Sequence, residues 1–181
     1  MIFNKKFIFA ATAATLIAGS AAAQETIKIG VIGPFTGGSS SMGVSMRDGV
    51  VLAAQEINAN GGVLGKKIEL VLRDDEAKNE RGVEIAQEFI NKTKVAATVG
   101  YINTGVALAS QRFFQEAKIP VINNVATGTL ITRQFEKEPE NYIFRTSAAD
   151  NIQAPMIVEE AVTRRGFKKV AILADSTAYG D

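Results

Sequence analysis

The chain has 181 residues, 46% of them hydrophobic, and a formal net charge of +1, which suits one good core and sets disorder aside. It contains no histidine and no cysteine, so the commonest general base, the commonest metal ligand, the thiol nucleophile and every disulfide are missing. Chemistry would have to rest on carboxylates, Lys, Tyr or Ser, and the near-neutral balance argues against nucleic acid, whose binders carry a basic stripe.

Residues 1–23 read as a cleaved secretory signal. Lys5 and Lys6 form a basic start, "FIFAATAATLIAG" an apolar run, and Ala21, Ala22 and Ala23 a small-residue cleavage site before Gln24. The alternative, a membrane anchor, fails on length, since the run is too short to cross about 30 Å of hydrocarbon. A lipoprotein needs a cysteine at the cleavage point, so the expected product is free and soluble. Without Lys5 and Lys6 it carries 18 basic and 19 acidic residues, a formal charge of −1.

From residue 26 onward, strand and helix signals alternate. "TIKIGVIG" is an apolar, β-branched strand that runs into the loop "GPFTGGSSSMG". Met46, Val50, Ala53 and Ile57 mark one apolar helix face, stopped by Asn60, Gly61 and Gly62. "KKIELVLRDD" alternates apolar with charged residues, which suits an edge strand. A helix with Val83, Ala86 and Ile90 precedes the short apolar strand "VAATV". Val106, Ala109, Phe113 and Ala117 define the next helix, "IPVI" the next strand, with Pro120 tolerable at its start. After "YIFRTSAAD", Ala154, Ile157 and Ala161 indicate a helix ending near Gly166, and "KKVAILAD" starts one more strand. Strands separated by such helices specify an α/β fold with a parallel sheet.

In open α/β sheets, ligands bind beyond the carboxyl ends of the strands. Three loops lie there, residues 33–43, 100–105 and 123–129, all rich in Gly, Ser, Thr and Asn. Helix-start N–H groups and the helix dipole favour an anion such as a carboxylate or phosphate. Thr104 is the natural N-cap of its helix, and its hydroxyl either caps or reaches a ligand; Thr127 carries the same ambiguity. Asp74 and Asp75 stand where a dinucleotide fold would hold a ribose, but no G-x-G-x-x-G follows the first strand. They read instead as a solvated strand end or a helix N-cap.

Six segments taken together, "IKIGVIGPFTGGSSSMG", "GVVLAAQEINANGGVLGKKIELVLRDDEA", "GYINTGVALA", "IPVINNVATGTLIT", "YIFRTSAADNIQA" and "KKVAILADSTAYG", resemble the periplasmic substrate-binding proteins of branched-chain amino-acid (leucine/isoleucine/valine) ABC importers. The resemblance implies a type I periplasmic-binding-protein-like fold, a Rossmann-like parallel sheet flanked by helices. It also implies a complete N-terminal lobe at 24–144, a hinge crossover at 145–150 and the start of a second lobe at 151–181, in an N-terminal fragment of a chain about twice as long. The implied protein is a monomeric periplasmic receptor without enzymatic activity or cofactor, which traps an amino acid or another small carboxylate by hinge closure and hands it to an inner-membrane ABC permease.

By the same resemblance, Thr104 binds the ligand carboxylate, and the loop containing Val125, Ala126 and Thr127 supplies a carbonyl and a hydroxyl to the ligand's two ends. Tyr179, before Gly180, closes over the ligand. Met42 stands where many relatives have an aromatic residue, against the ligand's variable end. Ala77 and Asn103 occupy the positions of a disulfide found in leucine-binding relatives. Aromatic or short aliphatic acids, and a sensory-receptor ligand-binding domain, remain alternative readings. An exported enzyme on the same sheet would show paired carboxylates or a nucleophile facing the cleft.

Overall fold

The computed structural model describes residues 25–180; the secretory signal expected at residues 1–23 lies outside the described residues. Strands β1 (Thr26–Gly33), β2 (Lys67–Asp74), β3 (Ala97–Gly100), β4 (Val121–Asn123) and β5 (Ile143–Arg145) form one sheet in the order β2-β1-β3-β4-β5. Every pairing is parallel. The alternating "KIELVLRD" segment is an edge strand as its pattern requires; Ile68, Leu70 and Val71 are part-buried between exposed Lys67, Glu69 and Leu72, and Arg73 and Asp74 at its end are part-buried as well.

Three helices cover the sheet: α1 (Ser40–Ala59), α2 (Asn79–Glu88), which continues as a π turn over Phe89–Thr93, and α3 (Thr104–Glu116). Adjacent residues of a strand point to opposite faces, and β1 shows the consequence. Ile32 joins the larger core with Ile85, Phe89, Val106 and Phe114 of the α2–α3 side, whereas Val31 packs with Met46 of α1 and Ile102. Phe89 lies across Gly30 so closely that a β-carbon there would fall 2.5 Å from its ring.

Helix faces are rotated from their expected positions. On α1 the buried residues are Gly43, Met46 and Ala54, while Ala53 and Ile57 are exposed. On α3 they are Thr104, Gly105, Val106, Ala107, Ser110, Gln111 and Phe114, and Ala117 lies past the end of the helix. Gln111 is admitted to the interior because its amide donates to the Ile131 carbonyl at 2.9 Å. A polar side chain that bonds a distant carbonyl does not register in an apolar count.

Two further expectations are corrected. The segment "KKVAILAD" forms no strand among the described residues; it runs unpaired, with Ile172 92% and Leu173 100% exposed. β-propensity does not make a strand without a neighbouring ladder to satisfy its backbone. The helix α4 (Asp150–Val158), extended by a π turn over Glu159–Arg164, buries no residue.

Asp74 and Asp75 neither cap a helix nor lie solvated as a pair. The residue before α2 is Lys78. Asp74 accepts from the Phe35 N–H at 2.8 Å and the Thr36 hydroxyl at 2.7 Å, fastening the β1–α1 loop, and these bonds hold its carboxyl below the usual range. Asp75 is fully buried and accepts from the Ala77 N–H at 2.9 Å. Burial raises its pKa to about 6, with the neighbouring Asp74 charge adding to the shift.

Candidate functional site

The carboxyl ends of β1, β3 and β4 carry three loops, each held in place by a specific device. Asp74 ties down the first, and Gly43 lets α1 approach Pro34, whose carbonyl oxygen would be 2.0 Å from a β-carbon at that position. Met42, half exposed, therefore sits over the sheet end on the first turn of α1.

The second loop leaves β3 through Gly100 and Tyr101. Tyr101 has φ +66°, a left-handed conformation that is costly for a residue with a side chain. Its surroundings determine that conformation: the ring is fully buried, the hydroxyl is hydrogen-bonded to Ser110 Oγ at 2.8 Å, and its backbone N–H donates to the Ile32 carbonyl at 3.1 Å. Burial pushes the Tyr101 pKa up, so the phenol stays neutral. The sharp turn brings α3 to the sheet end with Asn103 as the residue that precedes it.

Thr104 does not cap α3. It is the first helical residue, 2% exposed, and its Oγ1 accepts from the Gly128 N–H at 3.2 Å. Gly128 is required for this approach, since a β-carbon would lie 2.3 Å from Thr104 Cγ2. The Thr104 hydroxyl thus keeps its proton for another acceptor. No acidic residue occupies the first turn of α3, so its free N–H groups and positive dipole end are uncompensated.

The third loop is clipped to the second by the Asn124 N–H on the Gly100 carbonyl and the Ala126 N–H on the Tyr101 carbonyl, both at 3.1 Å. Ala126 is buried in the core, and its carbonyl accepts from Ser147 Oγ at 3.2 Å. It supports the loop from behind.

A cavity of about 320 Å3 opens where the loops meet. Met42, Asn103, Thr104, Val125, Thr127 and Tyr179 all line it; Ala126, Ala77 and the Asp74–Asp75 pair do not. Ser39, Ile102, Asp175 and Thr177 complete the wall. Of these, Asp175 and Thr177 had a legible signal, an Asp-x-Thr turn in which Asp175 Oδ1 accepts from both the N–H and the hydroxyl of Thr177. Those bonds lower the Asp175 pKa, and Asp175 is the one charged side chain in the lining.

Asn103 donates weakly to Ser39 Oγ at 3.4 Å, while its Oδ1 is buried without a partner. Asn103 and Ala77 also line a neighbouring cavity of about 420 Å3. On the other side, Met42 and Val125 lead into a groove of about 730 Å3 along α1, with Met46, Val50 and Ala53 on its floor. Among the described residues, no cluster of acidic side chains has the makings of a metal site. The arrangement is that of a binding pocket: hydroxyls, backbone N–H groups and a helix start on one wall, apolar side chains on the other.

The family model described as "periplasmic binding protein" matches residues 26–181. The chain is 32% identical over 177 residues to a Leu/Ile/Val-binding protein homolog of Brucella melitensis, covering 98% of this chain and 47% of that protein. It thus spans about half the length of the curated relatives it matches. Among solved structures, it is similar to a leucine-binding protein from Thermotoga maritima (TM-score 0.77, 29% identity, 86% of this chain and 42% of that one). It is also similar to a solute-binding protein of an ABC transporter from Rhodopseudomonas palustris in complex with 3,4-dihydroxybenzoic acid (TM-score 0.73, 37% identity, 86% and 40%).

Proposed function

The chain belongs to the periplasmic binding protein family, and from that premise we propose that it is the ligand-gripping lobe of an extracytoplasmic receptor for an ABC importer. The observation that carries this reading is the convergence of Met42, Asn103, Thr104, Val125, Thr127 and Tyr179 on one cavity at the strand ends. The receptor takes up a small carboxylate-bearing solute, exports no chemistry of its own, and delivers the solute to a membrane permease.

In this reading the ligand carboxylate sits at the start of α3. It receives the Thr104 proton, which no carbonyl among the described residues accepts, together with the Thr127 hydroxyl and free N–H groups of the helix start. No lysine or arginine lines the cavity, so recognition rests on oriented dipoles. Such hydrogen bonds to a charged group are worth about 1.5–3 kcal/mol each. A second lobe that brings Tyr179 over the ligand excludes water and strengthens them.

An amino acid is the first ligand class, supported by the Brucella melitensis relative and by Asp175, whose carboxylate offers the cavity an acceptor for an ammonium end. An aromatic carboxylate is the second, supported by the Rhodopseudomonas palustris relative and by the apolar wall of Met42, Ile102 and Val125. A thermal-shift screen of the full-length protein separates them. At 100 times its dissociation constant a ligand stabilises by about 2.7 kcal/mol. A shift with leucine or isoleucine that disappears in Asp175→Asn supports the first class; a shift with 3,4-dihydroxybenzoate that survives the same change supports the second. No shift with any amino acid or carboxylate overturns the receptor reading.

A further inference from the structure

Most arginines of the described residues pair with carboxylates: Arg47 with Asp48, Arg73 with Glu88, Arg81 with Glu84, Arg133 with Glu136, and Arg164 and Arg165 with Glu159 and Glu160. Arg145, the last residue of β5, has a different partner. Its Nη1 donates to the carbonyl oxygens of Thr127 and Gly128, at 2.9 Å each. A cation is thus lodged behind the loop whose other side faces the cavity.

We infer that Arg145 is a positioning residue of the binding site, which fixes the Thr127–Gly128 peptide and polarises it toward Thr104. The Thr127 carbonyl and the Gly128 N–H belong to one peptide unit. Its oxygen receives the guanidinium proton and the Asp150 N–H at 3.0 Å, while its N–H donates to Thr104 Oγ1 at 3.2 Å. A charged donor on the oxygen withdraws electron density from the peptide and makes its N–H a better donor. That N–H in turn draws on the Thr104 oxygen, so the hydroxyl becomes a stronger donor to whatever acceptor enters the cavity. Chains of hydrogen bonds strengthen one another in this way, most of all where the surroundings are dry. Thr104 and Gly128 are both buried.

The same stretch registers the loop mechanically. The Thr146 N–H donates to the Asn123 carbonyl at 3.0 Å, Ser147 Oγ to the Ala126 carbonyl at 3.2 Å, and the Asn151 N–H to Thr129 Oγ1 at 3.2 Å. The ligand loop is therefore zipped to the segment that leaves the sheet, and the Arg145 contacts are the charged bonds of that zipper.

The inference rests on the reading of Thr104 as a ligand donor, and the test separates the two. In the full-length protein, Arg145→Met and Arg145→Lys are compared by amide hydrogen exchange without ligand, and by calorimetry with leucine and 3,4-dihydroxybenzoate. Arg145→Met is expected to speed exchange of the Gly128 amide about tenfold relative to the Ala126 amide, which is bonded to Tyr101. Arg145→Lys, which keeps the charge and folds under the same constraints, is expected to do so by less. Unchanged Gly128 exchange in both variants overturns the inference. With the probe that binds, Arg145→Met is expected to weaken affinity about tenfold, but less than about twofold when Thr104 is already valine. Equal losses in both backgrounds overturn it as well. If wild type ignores both probes while Gly128 exchange still responds, the ligand reading falls and the structural relay stands.

Discussion

Residues 26–145 and residues 150–180 are written in the same style, apolar segments between helix signals, and reach different physical states. In the first, Ile32, Phe89, Phe114 and Val121 are fully buried between a five-stranded sheet and its helices. In the second, Met156, Ile157, Val170, Ile172 and Leu173 are each more than 60% exposed. An apolar segment contributes to stability only when surface is there to cover it, at about 25 cal/mol per Å2 removed from water. Two regions written in similar patterns therefore differ in what a mutation in each should do.

The largest effect is expected at Phe89, which fills the space over Gly30 and touches the core from the end of α2. Phe89→Ala leaves a cavity that no neighbour can close, and should cost about 3–5 kcal/mol in urea unfolding. A cost below about 1 kcal/mol would mean that residues 26–145 are no better packed than the segment after them.

Asp75 marks a flaw inside the well-packed region. Its Oδ2 is buried without a partner, and its pKa is raised from 3.8 to about 6 by burial. The folded state thus prefers the protonated form. Below about pH 3.8 the group is neutral in both states and costs nothing; the penalty grows as pH rises from there to about 6, and is complete above it. Asp75→Asn, which keeps an acceptor for the Ala77 N–H, should stabilise by up to about 3 kcal/mol at pH 7 and by nothing near pH 3.5. A gain that does not change with pH would show that the carboxylate charge is not its source.

A smaller effect distinguishes the two threonines. Thr104→Val removes the acceptor of a buried Gly128 N–H and should cost about 1–3 kcal/mol of stability besides at least tenfold in ligand affinity. Thr127 is only partly buried and holds the Asp150 N–H through its main chain, so Thr127→Val should lower affinity with stability nearly unchanged. Denaturation and calorimetry on both variants check the contrast; equal stability losses would break it.

The alternation of strands and helices, the edge position of β2 and the three loops at the strand ends were legible because each depends on local pattern. The cavity residues were legible as a set only through the resemblance, since residue type left Thr104 balanced between cap and contact. Three features were hidden for physical reasons. The placement of Thr104 inside α3 depends on Gly128, 24 residues away. Asp75 looks like any surface carboxylate until the fold buries it completely. Arg145 sits in an unremarkable "FRTS", and its role comes from two carbonyls contributed by another loop.

The smallest effect is the sharpest test of the opening contrast. Leu173 is fully exposed, so in the 181-residue chain Leu173→Ala removes no buried area and leaves no cavity. Its stability cost should fall within about 0.5 kcal/mol, the range of ordinary surface positions. The change should also reduce self-association, because Val170, Ile172 and Leu173 present an uncovered apolar run with free backbone groups beside it. Sedimentation and urea unfolding of the two chains measure both quantities. A core-sized stability loss would mean that Leu173 is covered in solution, and that the boundary between the two regions lies further along the chain than Arg145.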